Sequence, residues 1–378
     1  MRITDLETIA LRDPGKASAT LVRVHTDEGL TGIGQAESPS LVIDALLHCE
    51  GGLEEVLRGE DPLQVERLWQ EMYAATGLFG RRGVTLAAIG AVETALWDIA
   101  GKAQGRPVCQ LIWQACCTVR ERGKIALRVT PYATVYPPGD DIDEMRRRLE
   151  QAVARGFRAV KVEEWPGLFG WVSRQRDVEV TRAARQAIGE EVDLLIDVQN
   201  RWHEVGQAVD TILAIQEYRP FFVEAPLPAD NLDGYARLAD TVTTRIAAGD
   251  WGFTTRFEFE DLMVRGRVDV VQPSTVRSGG MREITRIAEA AYRRGLLCVP
   301  HAWCHMVGVA AGIHLAAVLP NVPYFESPIA YPDSPVISQL LEPALRPEAD
   351  GRITVPDRPG LGFELNPRTV EQYRVAPF

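Results

Sequence analysis

The stretch VDLLIDVQNRWHEVGQAVDTILAIQEYRPFFVEAP, residues 192–226, decides how this chain is read. It opens on a short apolar run, VDLLIDVQ, passes through a segment with helical spacing, VGQAVDTILAIQEY, and closes on a second apolar run, PFFVEAP. Strand, amphipathic helix and strand in about 35 residues make one βα unit, the connection that parallel strands require. Each apolar run also ends on an acid, Asp197 and Glu224. The same rhythm recurs from about residue 125, in LRVTPYATV, FRAVKVE, TRIAAGD, VDVVQPS, LLCVPHA and VPYFESP. Helical segments such as DEMRRRLEQAVARG, RDVEVTRAARQAIG, EITRIAEAAYRRG and VGVAAGIHLAAVL lie between them. Eight such units in about 200 residues predict a (β/α)₈ barrel. A doubly wound open sheet is the competitor, but no G-x-G-x-x-G follows a strand and the succession has no break.

Upstream, ATLVRVHTDEGLTGIGQAE (19–37) predicts two short strands around a turn eased by Gly29, followed by helices in PLQVERLWQEMY and TLAAIGAVETALWDIAGKAQG. The second helix carries small residues on one face, which lets another helix approach closely. The tail GRITVPDRPGLGFELNPRTVEQY leaves the βα rhythm and is expected to pack back on the N-terminal unit. The expected organisation is a small α+β unit over 1–122, a barrel over 123–340 and a returning segment over 341–378.

With 46% apolar and 25% charged residues, the 378-residue chain has ample material for a globular core. Its longest apolar runs, such as VGVAAGI, fall short of the roughly 18 residues of a membrane span. The start, MRITDLETIALRD, has no apolar signal region, and the six cysteines (49, 109, 116, 117, 298 and 304) lack metal-finger or disulfide spacing. Reduced thiols in a cytoplasmic protein are the expectation. A net charge of −11 argues against nucleic-acid or anionic-membrane partners and leaves room for a locally basic pocket that binds a small acid.

In a barrel the C-terminal strand ends form the active face. Here those ends supply Lys161 and Glu163, Asp197, Glu224, Asp250, Ser274, His301 and Glu326. Asp197, Glu224 and Asp250 end three successive strands; their mutual repulsion asks for a cation, and an all-oxygen set suits Mg²⁺. The plainer alternative makes them helix N-caps or salt-bridge partners. Lys161 is one of only four lysines among 41 basic residues, and strand alternation puts it on one face with Ala159 and Glu163. It is a proton-transfer group, or else a snorkelling lysine or the simple ion-pair partner of Glu163. His301, placed after LLCV, suits proton transfer near neutral pH, whereas His48 and His314 fit satisfied polar positions.

These residues, in this order, resemble the mandelate racemase/muconate lactonizing enzyme branch of the enolase superfamily. The resemblance covers essentially the whole chain. AAIGAVETALWDIAGKAQG (87–105) is its most specific piece, joined by FVEAPLP, RIAAGD, VVQP with RSGGM, VPHAW and VPDRPGLGFELN. It implies a (β/α)₇β variant of the barrel under an α+β capping domain, with Mg²⁺ on Asp197, Glu224 and Asp250. It further implies Lys161 as one base, His301 as a second base or acid, Glu326 as an electrophilic group, a small-molecule carboxylate as partner, and a homo-oligomer, dimer or octamer. The chain departs from the pattern at several points. Lys161-Val162-Glu163 replaces the usual Lys-x-Lys, Ser274 stands where an aspartate orients the histidine, Asp250 replaces a glutamate, and Gln199 and Ala225 replace common polar residues.

The implied chemistry is abstraction of the proton α to a carboxylate, through an ene-diolate. With Ser274 behind His301, a two-base racemase fits less well than β-elimination, so a sugar-acid dehydratase yielding a 2-keto-3-deoxy acid is the primary expectation. In it Lys161 takes the α-proton, His301 protonates the departing hydroxide, and Glu163 pairs, ligates or shares the acid–base work. A cycloisomerase, lactone-processing enzyme or epimerase is the second expectation, and a catalytically idle acid-binding relative the third. Specificity is assigned to the cap around Arg12–Ser18 and Glu37–Leu41, and to Trp165, Arg201, Arg277, Trp303 and Ser274 at the mouth; the arginines would clamp a distal carboxylate. The segment EEWPGLFGWVSRQRD (163–177) is expected to be a long βα loop over substrate.

Overall fold

The computed structural model describes residues 1–15, 17–115, 124–135, 141–163, 173–303, 305–328 and 334–378. The chain begins with a strand that the sequence reading did not single out, β1 (Ile3–Asp13), because charges interrupt its apolar alternation. Those charges line its outer face, where Glu7 takes Arg23 and His25 of β2 (Ala17–Thr26) across the antiparallel ladder. Gly29 (φ 80°) then turns the chain into β3 (Thr31–Ala36), which pairs back on β2. Helices α1 (Ser40–His48), α2 (Leu53–Leu57), α3 (Val65–Ala75), α4 (Val84–Gln104) and α5 (Val108–Ala115) complete the cap.

Helix α4 is the hinge pin of the molecule. It is long and apolar enough to cross a membrane by composition, but here it is buried against neighbours along nearly its whole length. Its small residues let backbone meet backbone. A Cβ on Gly32 or Gly34 of β3 would fall inside the carbonyl groups of Ala95 or Ala91, and one on Gly101 would lie 2.6 Å from Gly360 in the returning tail. Two buried acids turn this packing into specific docking. Asp98 accepts from the backbone N–H of Ile33 (3.2 Å) and of Leu361 (2.9 Å), tying sheet and tail to the helix. Glu93 accepts from the N–H groups of Met281 (2.8 Å) and Arg282 (3.0 Å) and from Trp97 Nε1 (2.8 Å).

The barrel follows β4 (Arg128–Val129). Its elements are β5 (Pro131–Val135), α6 (Ile142–Ala154), β6 (Ala159–Glu163), α7 (Arg174–Ile188), β7 (Asp193–Asp197), α8 (Val205–Ile215), β8 (Pro220–Glu224), α9 (Leu232–Thr241), β9 (Ile246–Ala248), α10 (Arg256–Asp261), β10 (Val270–Val271), α11 (Met281–Tyr292), β11 (Leu297–Cys298), α12 (Met306–Val318) and β12 (Phe325–Pro328). The order β11-β10-β9-β8-β7-β6-β5-β12, parallel throughout, puts eight strands and seven intervening helices in one curved sheet. The N–H of Glu326 reaches the Pro300 carbonyl at 3.4 Å across the remaining seam. This is the (β/α)₇β form, in place of the (β/α)₈ that the rhythm alone predicts. Helices α9 and α10 escaped the sequence reading, although Thr255 and Glu258 form a capping box that signals α10.

Apolar residues inside the barrel, Tyr132, Ala159, Leu195, Phe222, Ala247, Val270 and Val299, form a plug separate from the larger core between strands, helices and cap. The tail supplies α13 (Pro335–Ser338), β13 (Leu341–Glu342), β14 (Ile353–Thr354), β15 (Glu364–Leu365), α14 (Pro367–Tyr373) and β16 (Arg374–Val375). Strand β14 pairs with β4, β13 pairs with β15, and β16 extends the cap sheet beside β1.

Burial pushes the Glu93 carboxyl up to about 7, against the pull of its three N–H donors. The folded protein therefore holds this proton between about pH 4.5 and 7 where the unfolded chain has lost it, so the contribution to stability falls as pH rises through that window. Glu93→Gln is expected to flatten the decline of unfolding free energy over that range in urea titrations. An unchanged pH slope would remove Glu93 from the account.

Candidate active site

Period-two alternation lifts a second layer of side chains above the apolar plug. Lys161 and Glu163 follow Ala159 on β6, Asp197 follows Leu195 on β7, and Glu224 follows Phe222 on β8. The ladders pair Glu163 with Asp197 and Asp197 with Glu224, so three carboxylates stand side by side on one inward face. Like charges directly opposite one another in a sheet repel and destabilise it.

Lys161 answers that repulsion. Its ammonium, 2% exposed, lies 3.0 and 3.1 Å from the two oxygens of Glu224, 3.2 Å from Asp197 and 3.2 Å from Glu326. The Tyr132 ring centroid is 5.4 Å away. Burial alone would favour the neutral amine, but Glu224 and Glu326 outweigh it and hold the lysine well above its ordinary pKa. The side chain points inward, as alternation predicts, and it is a clamped ammonium.

Glu326 is the opposite case among the acids. Oε1 accepts from Thr134 Oγ1 (2.5 Å), and Oε2 accepts from the N–H groups of Ala302 (3.1 Å) and Trp303 (2.7 Å). Against burial, Lys161 and then His301 hold it far below the usual carboxylate range. In this arrangement Glu326 is an ionised carboxylate that accepts hydrogen bonds. Glu163 moves the other way. Burial, then Asp197, pushes it well up, and Gln199 Nε2 donates to its Oε1. Glu224 is likewise pushed up by burial and Asp197, and Asp250 to about 7.

His301 lies three residues beyond β11, in an isolated bridge with Ser274, with Nδ1 3.2 Å from Ser274 Oγ and Nε2 3.6 Å from Glu326. Burial pushes its pKa down to about 4, so it is a neutral imidazole at pH 7. Ser274 thus does occupy the position behind the histidine, contributing a hydroxyl and no charge. Backbone strain gathers at this rim: Gln199 (φ 56°), Asn200 (58°), Ala225 (46°) and Trp303 (38°) all adopt positive φ just beyond the acids and the histidine.

The other sequence candidates divide. Arg277 Nη1 donates to the Asp250 carbonyl (2.9 Å), while Nη2 meets Glu37 of the cap. Arg201 donates from Nε to the Val198 carbonyl (2.9 Å) and faces Asp177 at 3.7 Å. Each guanidinium thus already holds protein partners. Trp303 contributes its N–H to Glu326. Trp165 and most of the 163–177 loop lie outside the described residues. His48 and His314 take carbonyl partners, Asp44 and Leu6 for the first and Leu361 for the second, as expected of satisfied structural histidines.

Sequence reasoning missed Thr134 and Tyr132, because β5 ends without an ionisable residue. It also missed the side chain of Glu37, whose segment it assigned to the cap. A buried amide, Gln272, has no hydrogen-bond partner for either polar atom among the described residues.

All donors around Lys161 are hard oxygens, and the carboxylates outnumber the clamped ammonium. That chemistry fits a divalent cation such as Mg²⁺. Among the described residues no three acids or imidazoles are gathered at metal-ligand spacing; the lysine sets their present arrangement.

The model of the family described as Enolase C-terminal domain-like matches residues 144–369, and that of the mandelate racemase / muconate lactonizing enzyme N-terminal domain matches residues 5–113. The chain is 30% identical over 353 residues to an arabinonate dehydratase of Saccharolobus solfataricus, covering 93% of this chain and 89% of that protein. It is 32% identical over 387 residues to a D-galactonate dehydratase of Verminephrobacter eiseniae, covering 100% and 96%. Among solved structures, the 3,6-anhydro-D-galactonate cycloisomerase from Zobellia galactanivorans matches over 100% of both chains, with TM-score 0.86 and 26% identity.

Removing the ammonium leaves buried carboxylates uncompensated, a loss on the order of 3–5 kcal/mol. Lys161→Met is therefore expected to lower the thermal midpoint strongly at pH 7 and much less at pH 5, where the raised carboxyls accept protons. Equal losses at both pH values would show that Lys161 acts through packing instead of charge.

Proposed function

The chain belongs to the mandelate racemase/muconate lactonizing enzyme family, and on that premise we propose that it dehydrates a sugar acid, an aldonate or aldarate, to a 2-keto-3-deoxy acid. The α C–H and the β C–OH bonds break, a proton and hydroxide leave as water, and the resulting enol tautomerises to the ketone. The observation that carries this reading is the neutral imidazole of His301 beside a buried, cation-compensated ring of carboxylates. The dehydratase relatives support the substrate class.

Asp197, Glu224 and Asp250 would hold Mg²⁺. When bound, the ion supplies positive charge where the substrate carboxylate becomes an ene-diolate. Proton-transfer roles follow from the environments of the side chains. Neutral His301 suits the base that accepts the α-proton; Lys161 is held as an ammonium by Glu224 and Glu326, a hold that a cation on Asp197 and Glu224 would loosen. Glu163, pushed toward its protonated form, suits the acid that protonates the departing hydroxyl. This assignment gives His301 the proton-abstracting role expected from the sequence for Lys161, and gives Glu163 the protonating role expected for His301. Cycloisomerisation is the second reading, supported by the Zobellia neighbour. Epimerisation fits less well, because the Ser274 hydroxyl behind His301 supplies no charge for the imidazolium that a two-base cycle needs.

A panel of aldonates and aldarates incubated with Mg²⁺ and assayed for keto acid with semicarbazide is expected to give product. No keto acid from any member would end the dehydratase reading, and solvent deuterium at the α-carbon without loss of water would favour an isomerase. Because the base must be unprotonated, kcat/KM is expected to fall only as pH drops toward about 4. Ser274→Asp should stabilise the imidazolium and move that limb to higher pH by about one unit or more. An unmoved limb would show that His301 is not the group being titrated.

A further inference from the structure

We propose that Arg277 is a positioning residue through which the cap sets the aim of Asp250; the proposal rests on the reading that Asp250 helps hold the divalent cation. Two of the acids in that set, Asp197 and Glu224, are oriented by the sheet itself, since each lies in a paired strand and its direction follows from register. Asp250 is different. Strand β9 ends at Ala248, and the inward residue Ala247 would be followed in phase by position 249. That position is Gly249, with φ 115°, where a Cβ would run into the Phe259 ring. Asp250 therefore reaches the site one residue out of phase, on a turn bounded by Gly249 and Gly252, both at positive φ. No strand pairing fixes that turn.

Arg277 does. Its Nη1 donates to the Asp250 carbonyl at 2.9 Å, and its guanidinium carbon lies 5.1 Å from the Trp251 ring centroid, so it grips both residues of the turn. Nη2 is held in turn by Glu37, whose own N–H donates to the Val276 carbonyl at 3.1 Å. The rest of that barrel loop is pinned by the cap as well: Trp69 Nε1 donates to the Gly279 carbonyl at 2.7 Å, and Glu93 receives Met281 N–H. Ser274, behind His301, opens the same loop. Cap docking thus fixes the loop, the loop presents Arg277, and Arg277 fixes the one acid that the sheet leaves free. A planar guanidinium can serve two acceptors and one ring face together; a lysine ammonium cannot. The same commitments mean that Arg277 does not recognise the distal end of the substrate.

Groups that orient a metal's ligands typically contribute about 10- to 100-fold to metal affinity. Mg²⁺ titrated calorimetrically into the full chain without substrate is expected to bind at least tenfold more weakly to Arg277→Met than to wild type. Arg277→Lys should fall between them, and Glu37→Gln should weaken binding severalfold. At saturating Mg²⁺ the KM for a sugar acid should stay within about twofold. Affinity in Arg277→Met within twofold of wild type overturns the proposal; so does a raised KM at unchanged Mg²⁺ affinity, which would make Arg277 a substrate ligand. If Arg277→Met does not fold, Glu37→Gln decides, with unchanged affinity again overturning it. Wild type that binds Mg²⁺ but forms no keto acid counts against the dehydratase reading alone and leaves the affinity comparison intact.

Discussion

The Lys161 ammonium, buried among Asp197, Glu224 and Glu326, is the interaction that the rest of the site depends on. Taking one charge out of water costs several kcal/mol, and three carboxylates packed together cost more. Each is tolerable only because the other is there. The compensation is incomplete, since Glu163 and Asp250 add charge to the same mouth. The surplus is absorbed in different ways: Glu326 collects N–H and O–H donors, Glu163 takes the Gln199 amide, and Asp250 rises toward neutrality. These adjustments make chemically different groups out of residues that look alike in the sequence.

Such a site is stable only on a rigid frame, and α4 provides it by bringing backbone against backbone. Gly32 and Gly34 let the cap sheet lie directly on the helix, Gly90 meets Gly280 of the barrel, and Gly101 meets Gly360 of the tail. Glycine in a helix interior costs up to about 1 kcal/mol in propensity. Here that cost is offset by close packing and by buried acids that take N–H groups from three separate segments. The frame and the site meet in the 274–281 loop, where the cap grips the residues that contact His301 and Asp250.

Much of this was legible in the sequence. The recurrence of apolar runs and amphipathic helices gave the barrel, strand-end position gave Asp197, Glu224, His301 and Glu326, and period-two alternation gave the shared face of Lys161 and Glu163. What stayed hidden has physical causes. Strand β1 was obscured because charges on its solvent face broke the pattern. Thr134 was missed because a hydroxyl carries no signal until the sheet brings β5 beside β12 and places it against Glu326. The pairing of Arg277 with Glu37 joins residues 240 positions apart, so no local pattern encodes it. Ionisation states were hidden for the same reason, being set by burial and by neighbours that only the fold assembles.

Those ionisation states bear on the direction of the chemistry. A lysine free to lose its proton and a histidine backed by an aspartate would make two interchangeable bases, able to move a proton from either face. Here the lysine is held charged by carboxylates on neighbouring strands, and the histidine is held neutral by burial with only a hydroxyl behind it. On the reading proposed above, the histidine starts as the proton acceptor and the lysine starts as a positive charge. The asymmetry is built into the resting site, before any substrate enters. It favours reactions that take a proton once and expel a group over reactions that return the proton to the opposite face. The exchange of aspartate for serine at 274 thus changes more than the orientation of a ring: it removes the charge that would let the imidazole cycle between its two forms near neutral pH.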